Sequence, residues 1–161
     1  VTLPLKWITA RALRLEERLC DPGDLAAVAL GGKTAQLEAS LHEIGHIVAL
    51  RGSLLNALRS APVPHINNLM TGMGLHGVVR DENEVSAIAI ELLTAEMLGH
   101  PINAHEVTWF AWTNNNVRRF SDIALFEAHV ARRMKNQRCR SLAAEVAHYL
   151  SRPIRKIKRS A

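Results

Sequence analysis

At 161 residues, with nearly half of them apolar and few aromatic, the chain is long enough for one domain with a single core. No apolar run reaches the roughly 18 to 20 residues of a membrane span, and no signal peptide is apparent. The formal charge of +5 is concentrated late in the chain, and Cys20 and Cys139 lack metal or redox spacing, so a reduced, cytoplasmic protein is expected rather than a disulfide scaffold.

The apolar set is mainly Ala, Leu, Ile and Val, which lose little on entering helices or packing between them. A first helix is predicted over 5–20, ended by Asp-Pro-Gly-Asp at 21–24. Leu-Ala-Ala-Val-Ala-Leu at 25–30 suggests a short strand. Gly31-Gly32-Lys33-Thr34 resembles the end of a phosphate loop, but Ala27 stands where that loop needs glycine, so nucleotide binding is discounted. From about Thr34 to Leu50, Leu37, Leu41, Ile44 and Val48 recur at helical spacing, with Gly52 as the stop. Another helical turn or two follows through 54–60.

Pro62 and Pro64 open an irregular stretch. Its glycines at 72, 74 and 77 and its Val78-Val79 pair predict turns and a small β element. Residues 83–98 then read as an almost wholly apolar helix, stopped by Gly99 and Pro101. Further helices are expected at about 104–112, 118–136 and 140–151. The expected fold class is thus mainly α, with α+β character: a compact helical domain over 1–151 and a flexible basic tail over 152–161. Trp7, Trp109 and Trp112 are assigned to the core.

His42 and His46 lie four apart, one above the other on a helix face. Two neutral imidazoles at that spacing can hold one Zn2+ ion. Glu43 is the general base suited to hydrolysis: it takes a proton from attacking water and returns it to a leaving amine. A catalytic zinc needs a third protein ligand. Gly52 stands where a third histidine of an HExxHxxGxxH pattern would fall. His65 and His76, in the irregular stretch, are candidates for substrate or oxyanion contacts. The remaining ligand candidates are acids. Glu84 opens the apolar helix, with Glu91 two turns along the same face, and Asp122 lies near the start of a later helix. An acid on an apolar helix is costly unless paired. Both positions also suit acids at helix N-termini.

These residues resemble a known family. From about Leu37 to Met134 the chain is similar to the zinc peptidase domain of FtsH-type AAA+ proteases. The similarity runs through HEIGHIVAL, then PHINNLMTGMGLHG with His65 and Gly77. It continues in IAIELLTAEMLG with Ala95, Glu96 and Gly99, and in SDIALFEAHVARRM. The resemblance implies a zincin-like fold, zinc, peptide-bond hydrolysis in a bacterial or phage protein, and Asp122 as third ligand. With no Walker A motif, it implies a peptidase domain without a motor, acting on unfolded or exposed segments or on those a partner delivers. EVSAIAIELL, Glu84 to Leu93, is similar instead to ImmA/IrrE-type peptidases and would make Glu84 the ligand. Asp122 is placed first and Glu84 second.

The basic run RRMKNQRCR (Arg132 to Arg140) and the tail SRPIRKIKRSA could touch nucleic acid or an acidic partner. A rival expectation is therefore a non-catalytic regulator that keeps the zincin fold and binds nucleic acid or a protein through this region.

Overall fold

The structure, a computed structural model, describes residues 3–20, 32–63, 77–114, 117 and 119–153. Among them are seven helices: α1 Leu5–Leu19, α2 Gly32–Arg51, α3 Leu54–Arg59, α4 Gly77–Met97, α5 Ala104–Asn114, α6 Ile123–Met134 and α7 Gln137–Ser151. None of them is long and apolar enough to cross a membrane.

Each boundary has a local cause. Gly52 (φ 84°) ends α2 in the left-handed conformation a side chain resists, and its N–H bonds the Val48 carbonyl at 2.8 Å. Ser53 caps α3 by accepting the Asn56 N–H at 3.0 Å. α4 closes on Gly99 (φ 81°), with His100 N bonded back to Ala95 O at 3.0 Å and Pro101 following. Asp122 and Asn136 cap α6 and α7.

α4 is the central element. Its Ile90 and Leu93 join Leu15 and Leu19 of α1, Leu37, Leu41 and Ile44 of α2, and Leu142 and Val146 of α7 in the larger core. On another side, Val85, Ile88 and Leu92 meet Phe120, Phe126 and Val130. A helix enclosed by partners all round needs no polar stripe, which is why the sequence from 85 to 95 is so apolar. Glu82, on α4, accepts from Arg119 and Arg133 and so ties α4 to the α6 side.

Three expectations are corrected. Among the described residues there is no strand, only an isolated bridge between Cys20 and Val63. Gly77, Val78 and Val79, assigned to the small β element, form the first turn of α4, six residues before the expected start. Valine costs only tenths of a kcal/mol in an exposed helix turn, and the packing of the rest of α4 outweighs that. The remainder of the expected β segment (64–76) and the expected strand at 25–30 lie outside the described residues. Finally, Trp7 and Trp109 are about half exposed, at 48% and 53%. Aliphatic side chains from five helices fill the larger core, while the Arg11 guanidinium lies 4.8 Å from the Trp7 ring.

Glu16 is a buried acid on α1, accepting a hydrogen bond from Ser40 Oγ of α2 at 2.9 Å. Burial, aided by the nearby Glu43 charge and opposed by the Ser40 bond, pushes its carboxyl up to about 7. The native state therefore keeps this proton where the unfolded chain has lost it. Stability is full below about pH 4.5 and falls as pH rises towards 7. Glu16→Gln keeps an acceptor for Ser40 and removes this loss. Urea denaturation should find the variant more stable than the parent by about 2–3 kcal/mol at pH 8, with the difference vanishing near pH 4.

Candidate metal centre

The candidate site lies where α2 and α4 pack together. Gly45 sets their spacing: a Cβ there would stand 2.8 Å from Ala87 O and 3.1 Å from Ala87 Cα. That close approach brings the His42 and His46 face of α2 onto Asn83, Glu84 and Glu91 of α4.

His42 Nε2 lies 3.0 Å from one Glu84 oxygen, and His46 Nε2 lies 3.0 Å from the other. The two Nε2 atoms are themselves 3.0 Å apart, with the rings nearly perpendicular. Each outer nitrogen is held. His42 Nδ1 is 2.9 Å from Glu91 Oε1, and His46 Nδ1 meets Asn83 Oδ1. The Asn83 amide is oriented by its own Nδ2 donating to the His46 carbonyl at 3.5 Å. Because both Nδ1 partners are oxygen acceptors, Nδ1 carries a proton in each ring and Nε2 is the atom that each ring turns to Glu84.

Two Nε2 atoms and two carboxylate oxygens converging at 3.0 Å are held together by positive charge between them. One proton can satisfy one of the contacts, whereas a divalent cation satisfies all of them. Zn–N bonds of about 2.0–2.1 Å set tetrahedral ligands about 3.3 Å apart, so the donors need spread only a few tenths of an ångström. The supporting bonds of Glu91 and Asn83 are of the kind that fix metal-ligating histidines. The residues present thus fit a zinc ion, and His42, His46 and Glu84 are the one such donor group among the described residues.

Protonation reflects the same crowding. Burial opposes charge on His42, yet the Glu84 and Glu91 carboxylates outweigh it and hold the imidazole well above its ordinary range. Burial likewise opposes the charge of Glu84, but His42 and His46 hold its carboxyl well below the ordinary range. Glu91 is raised by burial, against the opposing bond from His42. Glu38, one turn before His42 on α2, is raised by burial and then by Glu91 and Glu106.

Glu43 is half-buried, about 100° round the helix from His42, with Oε2 lacking a hydrogen-bond partner among the described residues. Its charge reaches Glu16 on α1. Asp122, the acid placed first as third ligand, is exposed and turned to its own helix: Oδ1 accepts the Leu125 N–H at 2.9 Å. Its capping role accounts for it, and Glu84 is the acid that the fold brings to the histidine pair. His65 and His76 lie outside the described residues. Sequence reasoning noted Glu91 without giving it a role and missed Asn83. The available signal was a polar run, Asn83, Glu84 and Glu91, recurring at helical spacing in an otherwise apolar segment. No family model, curated protein or solved structure matches this chain.

Proposed function

We propose that this chain is a zinc-dependent metalloendopeptidase acting on unfolded or exposed protein segments. The observation that carries the reading is the convergence of His42 Nε2, His46 Nε2 and both Glu84 oxygens, with each Nδ1 anchored from behind. Three protein ligands leave a coordination position open, the arrangement of catalytic rather than structural zinc. The ligand set is the one implied by the resemblance to ImmA/IrrE-type peptidases, with Glu84 in place of Asp122.

When bound, zinc would supply Lewis acidity towards water and a substrate carbonyl. His42 and His46 supply neutral donors whose orientation Glu91 and Asn83 preserve. Glu84 supplies the negative charge. Glu43, adjacent to His42 in the motif, takes the general-base role and accepts a proton from the attacking water; its Oε2 is buried and has no hydrogen-bond partner among the described residues. It returns that proton to the departing amine nitrogen. The two free cysteines, both buried, support a reducing, cytoplasmic setting.

The test separates metal from chemistry. Protein purified without a histidine tag should carry about one zinc per chain by mass spectrometry. Glu43→Gln should keep that zinc but lower cleavage of a casein-type unfolded substrate by about 100- to 10,000-fold, the range a positioned proton carrier supplies. Undiminished cleavage by Glu43→Gln would sink the mechanism. A chain without metal or cleavage would sink the function.

A further inference from the structure

A second concave site lies away from the histidine pair, where the α6–α7 turn meets α2 and α4. It is a cavity of about 410 Å³ lined chiefly by Ser86, Arg133, Asn136, Arg138 and Cys139. That volume falls within the roughly 300–1,000 Å³ of small-molecule sites. Its chemistry is one-sided. No acidic residue lines it, and none occurs in the sequence between Glu127 and Glu145, a span that holds five Lys and Arg residues.

The two arginines play different parts. Arg133 is committed: it donates to Ser86 Oγ at 2.6 Å and pairs with Glu82, which fixes it at the wall. Arg138 is exposed and has no hydrogen bond or ion pair among the described residues; its Nη2 rests beside Gly52, at the end of α2. Asn136 Oδ1 takes the Cys139 N–H at 3.2 Å, so the amides of Gln137 and Arg138 remain at the start of a 15-residue helix without intrahelical acceptors. Helix start and free guanidinium are complementary to one kind of ligand group, a tetrahedral oxyanion with several acceptor oxygens, while the Ser86 hydroxyl is shared between Arg133 and Cys139 and belongs to the wall. Burial raises the Cys139 thiol, while Arg133, then a hydrogen bond from Ser86, then Arg138 pull it down, so the positive field of the two guanidinium groups reaches the cavity wall.

We propose that this cavity binds a phosphate group, with Arg138 and the N-terminal amides of α7 as its donors and Arg133 and Ser86 as its fixed wall. A phosphate is favoured over a carboxylate because Arg132, Lys135 and Arg140 stand exposed on the same two helices and the turn between them. That arrangement suits a group with two charges, or a chain of such groups. The source is either a small phosphate compound or the backbone of a single-stranded nucleic acid.

Isothermal titration of the zinc-loaded chain with inorganic phosphate, and fluorescence anisotropy with a labelled single-stranded oligonucleotide, test this directly. At least one probe should bind saturably. Arg138→Ala should weaken that binding about tenfold or more with helical content unchanged, and Ser86→Ala should weaken it without removing charge. Phosphate binding that survives 0.5 M NaCl identifies a small phosphate compound. Oligonucleotide binding whose salt dependence drops by about one counterion in Arg138→Ala identifies the nucleic-acid backbone. The proposal is overturned if neither probe binds, or if binding is undiminished in both variants, since attraction is then spread over the basic surface and owes nothing to the cavity.

Discussion

Glu84→Ala is expected to lower zinc affinity by more than the roughly 10- to 100-fold that loss of a supporting partner costs, because it removes a donor itself. Glu91→Ala and Asn83→Ala should fall within that 10- to 100-fold range. Each frees one imidazole to rotate, so Nε2 is no longer held towards Glu84. Asp122→Ala is the decisive comparison. It should keep zinc and lose about 1 kcal/mol of stability, the usual cost of removing a helix cap. Metal competition titrations across the four variants check the order. If Asp122→Ala loses zinc while Glu84→Ala keeps it, the ligand assignment is wrong.

The same site predicts a pH dependence. Without metal, the proton shared among these groups resides on His42, held there by Glu84 and Glu91 to well above the imidazole's ordinary range. Zinc must displace that proton to reach Nε2. Affinity should therefore rise about tenfold per pH unit while His42 remains protonated in the metal-free protein, one proton leaving per ion. In Glu84→Ala the charge that raises His42 most is gone, and this slope should begin to flatten at lower pH.

The histidine pair was legible because its geometry is local: a spacing of four on a helix fixes which face both residues share. Its third partner was not, because Glu84 and Asp122 are both acids near expected helix starts, and sequence alone gives each the same inexpensive explanation. The structure breaks that tie by moving one boundary. Since α4 begins at Gly77, Glu84 sits two turns inside a buried helix, where an unpaired carboxylate costs several kcal/mol. Asp122 remains at the cap position, where a carboxylate is stabilising. The misread boundary came from Val78-Val79, whose β preference describes a surface they do not occupy. Helix periods for α1, α2 and α4 were readable for the opposite reason: repeated apolar positions there report directly on buried faces.

Gly45→Ala should damage the site without touching a donor. Alanine in mid-helix ordinarily gains about 1 kcal/mol over glycine. Here the new Cβ would lie 2.8 Å from Ala87 O and 3.1 Å from Ala87 Cα, against the roughly 3.5–4.0 Å of comfortable carbon contact. Both atoms belong to backbone, so no rotamer change relieves the clash and the two helices must part by about half an ångström. Overpacking of this kind costs about 1–3 kcal/mol, which cancels or exceeds the helix gain and leaves a net loss of up to about 2 kcal/mol. The larger effect falls on zinc. Gly45 lies between His42 and His46, and Ala87 is one turn beyond Asn83 and Glu84, so parting the helices there draws donors on α2 away from the acceptor on α4. Zinc affinity should drop about tenfold or more while circular dichroism stays helical. Ala87→Gly should fail to rescue Gly45→Ala, because the Ala87 side chain is not what the new methyl meets. A full rescue, or a Gly45→Ala protein that is more stable and binds zinc normally, would show that α2 and α4 are free to move apart and that their contact does not set the metal site.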